Sequence, residues 1–304
     1  MITRRPEGRR IKYTETARNE FKERRTLLDP QVQLNKHFGE AASHWEQIYQ
    51  ENTLNGCIYQ NRKAITLRWI EQLKLPRNAQ LLEIGCGAGL SAADLAVRGY
   101  HVTAVDTVPA MLKLTRNRVG QAQIAQLVRI VRADVRQLPM PDSSFDVVFA
   151  LGVLPWLDDP RAALREIARV TRPGGYALVT ADNQFHLNEA LDPRRAPFLE
   201  PIRRRLAPTL RAMKLLPQWP PCPESPPIHR HSLSEVDSML AHVGLVKLRG
   251  LTIGFGPFTF LGRDLLPDSM SIKVHRVLQA AANRKLPIVS SLGMQYLVMA
   301  TKGV

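Results

Sequence analysis

Apolar residues gather in short runs through the middle of the chain. Each run ends at glycine or an acidic residue and leads into a segment of helical character. Leu81-Leu82 begins the series. His101-Val-Thr-Ala-Val105 alternates and is rich in β-branched residues, which predicts a second strand. Val128 to Arg132, Val147 to Leu151 and Tyr176 to Thr180 predict the third, fourth and fifth. Between the last two, Pro160 to Thr171 reads as a helix with Asp159 as its N-cap. Ser232-Leu-Ser-Glu235 is a capping box that starts a helix running to His242, and Gly244 ends it. Leu245 to Ile253 and Gln295 to Thr301 predict the sixth and seventh strands, with a helix near Ile272 to Asn283 between them.

Upstream of the first strand, His37 to about Leu75 reads as helical. Phe38, Ala41, Ala42, Trp45 and Tyr49 fall on one side at steps of three and four. Pro76-Arg-Asn breaks that helix. Residues 1–30 form a polar, charged arm. From Asn183 to His231 the pattern is least regular. Arg203-Arg-Arg205 sits on a helix expected over 198–215, and Pro217 to Pro227 carries six prolines in eleven residues, an extended and stiff stretch. The chain thus divides into an arm (1–30), an N-terminal helical cap (31–79), a core (80–182), an irregular segment (183–231) and a return to the core (232–304) with an insert at about 254–294.

The chemistry begins at Glu83-Ile-Gly85-Cys86-Gly87-Ala-Gly89. Three glycines at alternate positions let the backbone turn sharply after a strand and approach a ligand closely. The turn feeds a helix whose first amides point at that ligand. A dinucleotide fold asks for G-x-G-x-x-G, whereas here the third glycine comes one residue early. Asp106 ends the second strand, where a carboxylate accepts both hydroxyls of a ribose; a plain N-cap ahead of Pro109 is the competing reading. After the third strand, Asp134 offers an acceptor for an adenine amino group and Val135 a backbone amide. Leu138-Pro-Met-Pro-Asp142-Ser-Ser forms a turn into the fourth strand, and Arg172-Pro-Gly174-Gly175 precedes the fifth.

Four stretches in order, Leu81 to Gly89, Val102 to Met111, Ala133 to Asp146 and Arg172 to Gly175, resemble the class I S-adenosylmethionine-dependent methyltransferases of the small-molecule type that act on quinones, porphyrins and natural products. The resemblance covers about residues 80–182 closely and 30–79 and 232–250 loosely. It implies an α/β fold: a Rossmann-like, seven-stranded, mostly parallel sheet flanked by helices, with an N-terminal helical cap and a substrate cover inserted at 183–231. It implies S-adenosylmethionine as cofactor and S-adenosylhomocysteine as product. Gly85, Cys86, Gly87 and Gly89 would approach the methionine end and the ribose, and Glu83 would order the loop. Asp106 with Thr107 would take the ribose hydroxyls, Met111 or Val108 would cover the adenine, Asp134 with Val135 would bind its edge, and Leu151 would lie beside the cofactor. The family usually has Asp where this chain has Glu83; the carboxylate is kept.

The acceptor side is less defined. Trp45 and Tyr49 on the cap, Trp156 in the apolar stretch Leu151-Gly-Val-Leu-Pro-Trp156, His229 and His231 in the cover, and Phe255 and Phe258 in the insert are candidate substrate-pocket residues. Packing of an amphipathic helix on the sheet is the other reading of the cap. His186 is the favoured general base because it follows a central strand end, where the sites of open α/β sheets lie; His44 is a weaker candidate. No carboxylate cluster calls for a metal, and no Asn-Pro-Pro-Tyr signature of base N-methylation is present. These features point to O-methylation of a hydrophobic small molecule, with C- or N-methylation open and RNA methylation as the rival reading.

Composition sharpens this picture at three points. The net charge of +15 is uneven: residues 1–30 hold 9 Lys/Arg against 5 Asp/Glu, residues 31–189 hold 17 against 15, and residues 190–304 hold 16 against 7. The near-neutral core and basic flanks suit contact with RNA, an anionic surface or an acidic substrate. A solvated arginine-rich surface is the plainer reading, and basic-aromatic interleaving typical of single-strand binding is absent. Cys57, Cys86 and Cys222 stand far apart, which argues against a disulfide framework or structural zinc and for a reducing, cytoplasmic compartment. No stretch approaches a membrane span and no apolar leader follows the basic start, so the expected partner is a small substrate, with a homo-oligomer open.

Overall fold

The computed structural model describes residues 29–190, 192, 201, 202, 205, 226–260 and 263–303. The basic arm, most of the helix expected over 198–215 and the proline-rich stretch up to residue 225 lie outside these. Three helices come first: α1 (Pro30–Glu40), α2 (Ala42–Gln47) and α3 (Leu54–Glu71). The helical stretch expected from His37 to about Leu75 is therefore interrupted twice. Ala41 leaves helical geometry (φ −91°, ψ 9°), and Thr53 restarts the helix by accepting the Gly56 amide at 3.1 Å.

The core then alternates β1 (Gln80–Ile84), α4 (Leu90–Val97), β2 (His101–Asp106), α5 (Pro109–Gln121), β3 (Val128–Arg132), β4 (Phe145–Ala150), α6 (Pro160–Val170) and β5 (Thr171–Asn183). Asp159 caps α6 by accepting the amides of Arg161 and Ala162, with Pro160 in the first turn. Strand β5 starts five residues before the expected position, because Thr171 pairs with Phe145 across an irregularity that absorbs Pro173 and the glycine pair. Beyond it come α7 (Leu187–Ala190), β6 (Arg230–His231), α8 (Leu233–His242), β7 (Leu245–Ile253), the hairpin β8 (Thr259–Phe260) and β9 (Arg263–Asp264), α9 (Asp268–Asn283) and β10 (Gln295–Lys302). Helix α8 carries the full capping box between Ser232 and Glu235.

The sheet runs β3-β2-β1-β4-β5-β10-β7, with the two-residue β6 beside the end of β5. Strands β1 to β5 are mutually parallel, and β10 is antiparallel to both β5 and β7. This is the Rossmann-like arrangement. Adjacent residues serve opposite faces: Leu82 and Val148 pack toward α6 and α8, whereas Leu81 and Val147 pack toward α3, α4 and α5. Helices cover both faces, so the strands are apolar almost throughout. Fully burying one such leucine contributes about 1.5–3 kcal/mol.

Chain order reverses between β1 and β4, which places a crevice at their carboxyl ends. Helix α3 delivers Tyr59 and Arg62 to that crevice, and its seating depends on Gly56. A Cβ at Gly56 would lie 2.3 Å from the Glu51 carbonyl oxygen and 2.9 Å from that of Ile48. Both obstacles are backbone, so Gly56→Ala should cost about 1–3 kcal/mol in urea melts; unchanged stability would show that the Ile48–Glu51 segment yields freely.

Candidate active site

The turn after β1 is held in a conformation that glycine alone adopts readily. Gly87 has φ +54°, its amide donates to Asp106 Oδ2 at 2.9 Å, and its carbonyl accepts the Thr115 hydroxyl at 2.8 Å. Gly85, Cys86 and Gly87 line a cavity of about 450 Å³ at the crevice. Gly89 does not. It has φ +73° at the N-terminus of α4, and a Cβ there would lie 2.6 Å from Thr115 Cγ2. It builds the turn from beneath, which corrects its expected place against the ligand.

Asp106 is buried at the tip of β2. Burial raises its carboxyl, while the Val108 and Gly87 amides, each at 2.9 Å, pull it down. The next residue fastens the cap: the Thr107 hydroxyl donates to Asn35 of α1 at 2.8 Å. Val108 and Met111 pack with Phe38, Ala42 and Trp45. Asp134 also borders the cavity, but its carboxylate accepts from the Arg136 guanidinium at 3.0 and 3.1 Å, which holds it below the usual carboxylate range. Arg136 reaches on to Gln31 of α1 at 3.0 Å. Val135 and Leu151 line the same space.

Glu83 differs from its neighbours. Burial raises its carboxyl to about 8, against partial relief from the Ser91 hydroxyl and the Ala92 amide. Its Oε2 is buried, borders the cavity and has no hydrogen-bond partner.

The opposite wall is polar. Arg62 is buried and donates from Nη2 to the Tyr49 hydroxyl at 2.9 Å and from Nη1 to Gln295 Oε1 at 3.2 Å, with its guanidinium carbon 4.7 Å from the Tyr59 ring centre. Gln295 in turn donates to Asp182 Oδ1 at 3.2 Å. Burial opposes the Arg62 charge, but the two tyrosines and Asp182 more than offset it. His186 and Glu189 follow β5, and Arg230 grips Glu189 at 2.8 and 3.1 Å. Burial lowers the His186 imidazole to about 4, and neither ring nitrogen has a hydrogen-bond partner; Nε2 lies 3.6 Å from Glu189 Oε2.

Residues 82–179 match the family described as a methyltransferase domain. Over those residues the chain is similar to methyltransferase domains. Among curated relatives, malonyl-[acyl-carrier protein] O-methyltransferase from Serratia marcescens is 43% identical over 99 residues, 33% of this chain and 36% of that protein. The 27-O-demethylrifamycin SV methyltransferase from Amycolatopsis mediterranei is 32% identical over 151 residues, 47% of this chain and 56% of that protein. The chain thus matches from about a third to little more than half of these relatives' length. Among solved structures, magnesium protoporphyrin IX methyltransferase from Synechocystis PCC 6803 with bound SAH superimposes with TM-score 0.60 over 90% of this chain and all of that one. At 14% identity that likeness is one of fold.

The cavity unites Glu83, Gly85, Cys86, Gly87, Asp106, Thr107, Met111, Asp134, Val135 and Leu151 with Trp45, Tyr49, Trp156 and His186. Four expected pocket residues lie elsewhere. Phe255 and Phe258 form a separate core beneath α9. His229 is turned outward to Asp158 at 3.2 Å, although its amide ties the cover to the Pro155 carbonyl at 2.7 Å. His231 pairs with Asn183 in β6 and is not a lining residue. His44 stacks on Trp45, also outside the lining. Arg62, Tyr59, Asp182 and Gln295 escaped the sequence reading.

The folded domain holds a proton on Glu83 that the unfolded chain releases between 4.5 and about 8, so this group's contribution to stability falls as pH rises through that window. Glu83→Gln does not titrate there. Relative to it, the unsubstituted protein should lose about 1.4 kcal/mol per pH unit within the window in urea melts and level off above it. Parallel profiles would show that the carboxyl is ionised in the folded state.

Proposed function

We propose that the chain transfers a methyl group from S-adenosylmethionine to an oxygen atom of a small organic acceptor. The observation that carries this reading is the single cavity shared by two chemically different walls. One wall holds the glycine turn with Glu83, Asp106 and Asp134, and the other holds Arg62, Tyr49, Tyr59, Asp182 and His186.

The residues of the first wall suit the cofactor. Glu83 Oε2 is a buried acceptor without a donor, and S-adenosylmethionine brings both an ammonium and a sulfonium. Gly85 and Gly87 present no Cβ to the ligand. The Asp106 oxygens accept the Gly87 and Val108 amides and keep acceptor capacity for a ribose hydroxyl. Asp134, fixed by Arg136, is placed for an amine. When bound, the cofactor supplies an electrophilic methyl group whose leaving group is a neutral thioether.

The second wall supports an acceptor with an apolar body and a polar edge. Leu151, Val153 and Trp156 give the body an apolar surface, and the tyrosines and Arg62 give the edge donors. Holding acceptor and methyl in line and excluding water supplies much of the rate. His186 is neutral above about pH 4 and accepts the proton of the attacking hydroxyl; Glu189 at 3.6 Å stabilises the imidazolium that results. The Serratia marcescens relative, named an O-methyltransferase, favours oxygen over nitrogen or carbon.

Asp106→Ala should weaken S-adenosylhomocysteine binding at least tenfold in calorimetry, about the worth of one charged hydrogen bond. An unchanged affinity would remove Asp106 from the binding role. His186→Ala should leave that affinity intact and lower turnover by about 10²-fold or more; unaffected turnover would mean another group takes the proton. The acceptor class is tested by giving the protein deuterated-methyl S-adenosylmethionine with host lysate. Label in an organic-soluble metabolite supports the proposal, and label in RNA or protein instead overturns it.

A further inference from the structure

The insert between β7 and β10 rises from the edge of the sheet that holds the cavity. Ile253 is paired with Gln295, and Gln295 with Asp182, so residues 254–294 leave and rejoin the sheet at the carboxyl end of β5. Pro257, Thr259 and Met294, at the roots of the insert, border the cavity.

Helix α9 is seated through an unusual face. Its buried residues are Ser271, His275, Gln279 and Ala282. His275 Nδ1 accepts the Phe255 amide at 3.2 Å; Gln279 Oε1 accepts the Gly254 amide at 3.2 Å, while its Nε2 donates to the Thr252 carbonyl at 3.1 Å. Val274 and Leu278 also pack inward, but Met270 and Val277 are turned out. Met270, Lys273, Val277, Ala280 and Arg284 are exposed at steps of three and four, which makes one stripe along the outer face. Val277 is 69% exposed, and Ile288, just past the helix, is 74% exposed.

Ile288 is also strained. It has φ +69° and ψ −60°, closed by the Val289 amide on the Pro287 carbonyl at 2.8 Å, the geometry of a classical γ-turn that a β-branched residue rarely adopts. The backbone thus bears a cost to present an apolar side chain to the outside. Lys273 and Arg276 on α9 and Arg284 and Lys285 just past it are exposed, none with an ion-pair partner among the described residues. From residue 268 to 291 the only acid is Asp268.

We propose that the outer face of this insert docks on an anionic lipid bilayer. Met270, Val277 and Ile288 enter the interface, and the four cations meet the headgroup phosphates. Charge decides the occupant. A two-fold contact between copies of this chain would set the same unpaired cations against themselves, whereas an anionic surface complements them.

The test is co-sedimentation of the full chain with phosphatidylcholine vesicles and with phosphatidylcholine/phosphatidylglycerol vesicles. Binding should require the anionic lipid and weaken with salt. Val277→Asp with Ile288→Asp should lower partitioning at least tenfold, from the loss of two inserted side chains. Lys273→Glu with Arg276→Glu should lower it by about 25-fold or more. All four positions are exposed, so circular dichroism and melting should be unchanged. A third variant, Arg4, Arg5, Arg9 and Arg10→Glu, controls for the basic arm and should retain most binding. Absence of binding to anionic vesicles overturns the proposal, as does binding lost with the arm variant but kept by both insert variants. A dimer by light scattering that Val277→Asp with Ile288→Asp breaks, without vesicle binding, assigns the face to a second copy instead.

Discussion

One buried carboxylate organises the site. Asp106 joins two turns of the chain, by accepting the Gly87 amide, 19 residues earlier in the turn after β1, and the Val108 amide at the start of α5. Removing a carboxylate from water is costly, and two amide donors offset that cost. The bond to Gly87 fixes a glycine backbone that would otherwise sample many conformations. The bond to Val108 sets the direction of α5, and Val108 and Met111 on that helix are the surface on which α1 and α2 pack. The cap, the turn and the strand tip therefore share a single anchor.

The far wall is built on a different logic. Arg62, Tyr49, Gln295 and Asp182 form a buried chain in which the amide of Gln295 stands between a cation and an anion and satisfies both. Such a chain gives fixed donors beside an apolar wall, at the expense of desolvating charges that packed leucines would not require. That expense makes sense where the donors meet a ligand. It also sets charged and amide groups beside the mostly apolar wall expected from Leu151 to Trp156.

The cofactor half was legible because its residues are neighbours in sequence as well as in space. Glycines at alternate positions, an acid at a strand end and apolar runs of strand length each carry a local physical meaning, and their order determined the sheet. The acceptor half has no such local signature. Tyr59 and Arg62 look like ordinary members of an amphipathic helix, Asp182 like the end of a strand and Gln295 like the start of another; only the pairing of β10 with β5 brings them together. Phe255 and Phe258 misled for the opposite reason. They are conspicuous, but they pack with Val274, Leu278 and Ala282 of α9 in a core of their own. The break at Ala41 has neither proline nor glycine at the break itself, so nothing in the pattern announced it.

The bond between Arg62 and Gln295 spans 233 residues, and β10 is threaded between β5 and β7, the strand that precedes it. A growing chain therefore completes its glycine turn early, while the polar wall waits for a strand that emerges much later. Until β10 enters, β7 has no neighbour in the sheet, Arg62 has lost one of its acceptors, and the edge of β5 is open to water. Closing so long a loop is slow relative to local turns. The polar wall is thus tied to completion of the fold, and a nascent polypeptide with a finished glycine turn still has only half of its cavity lining.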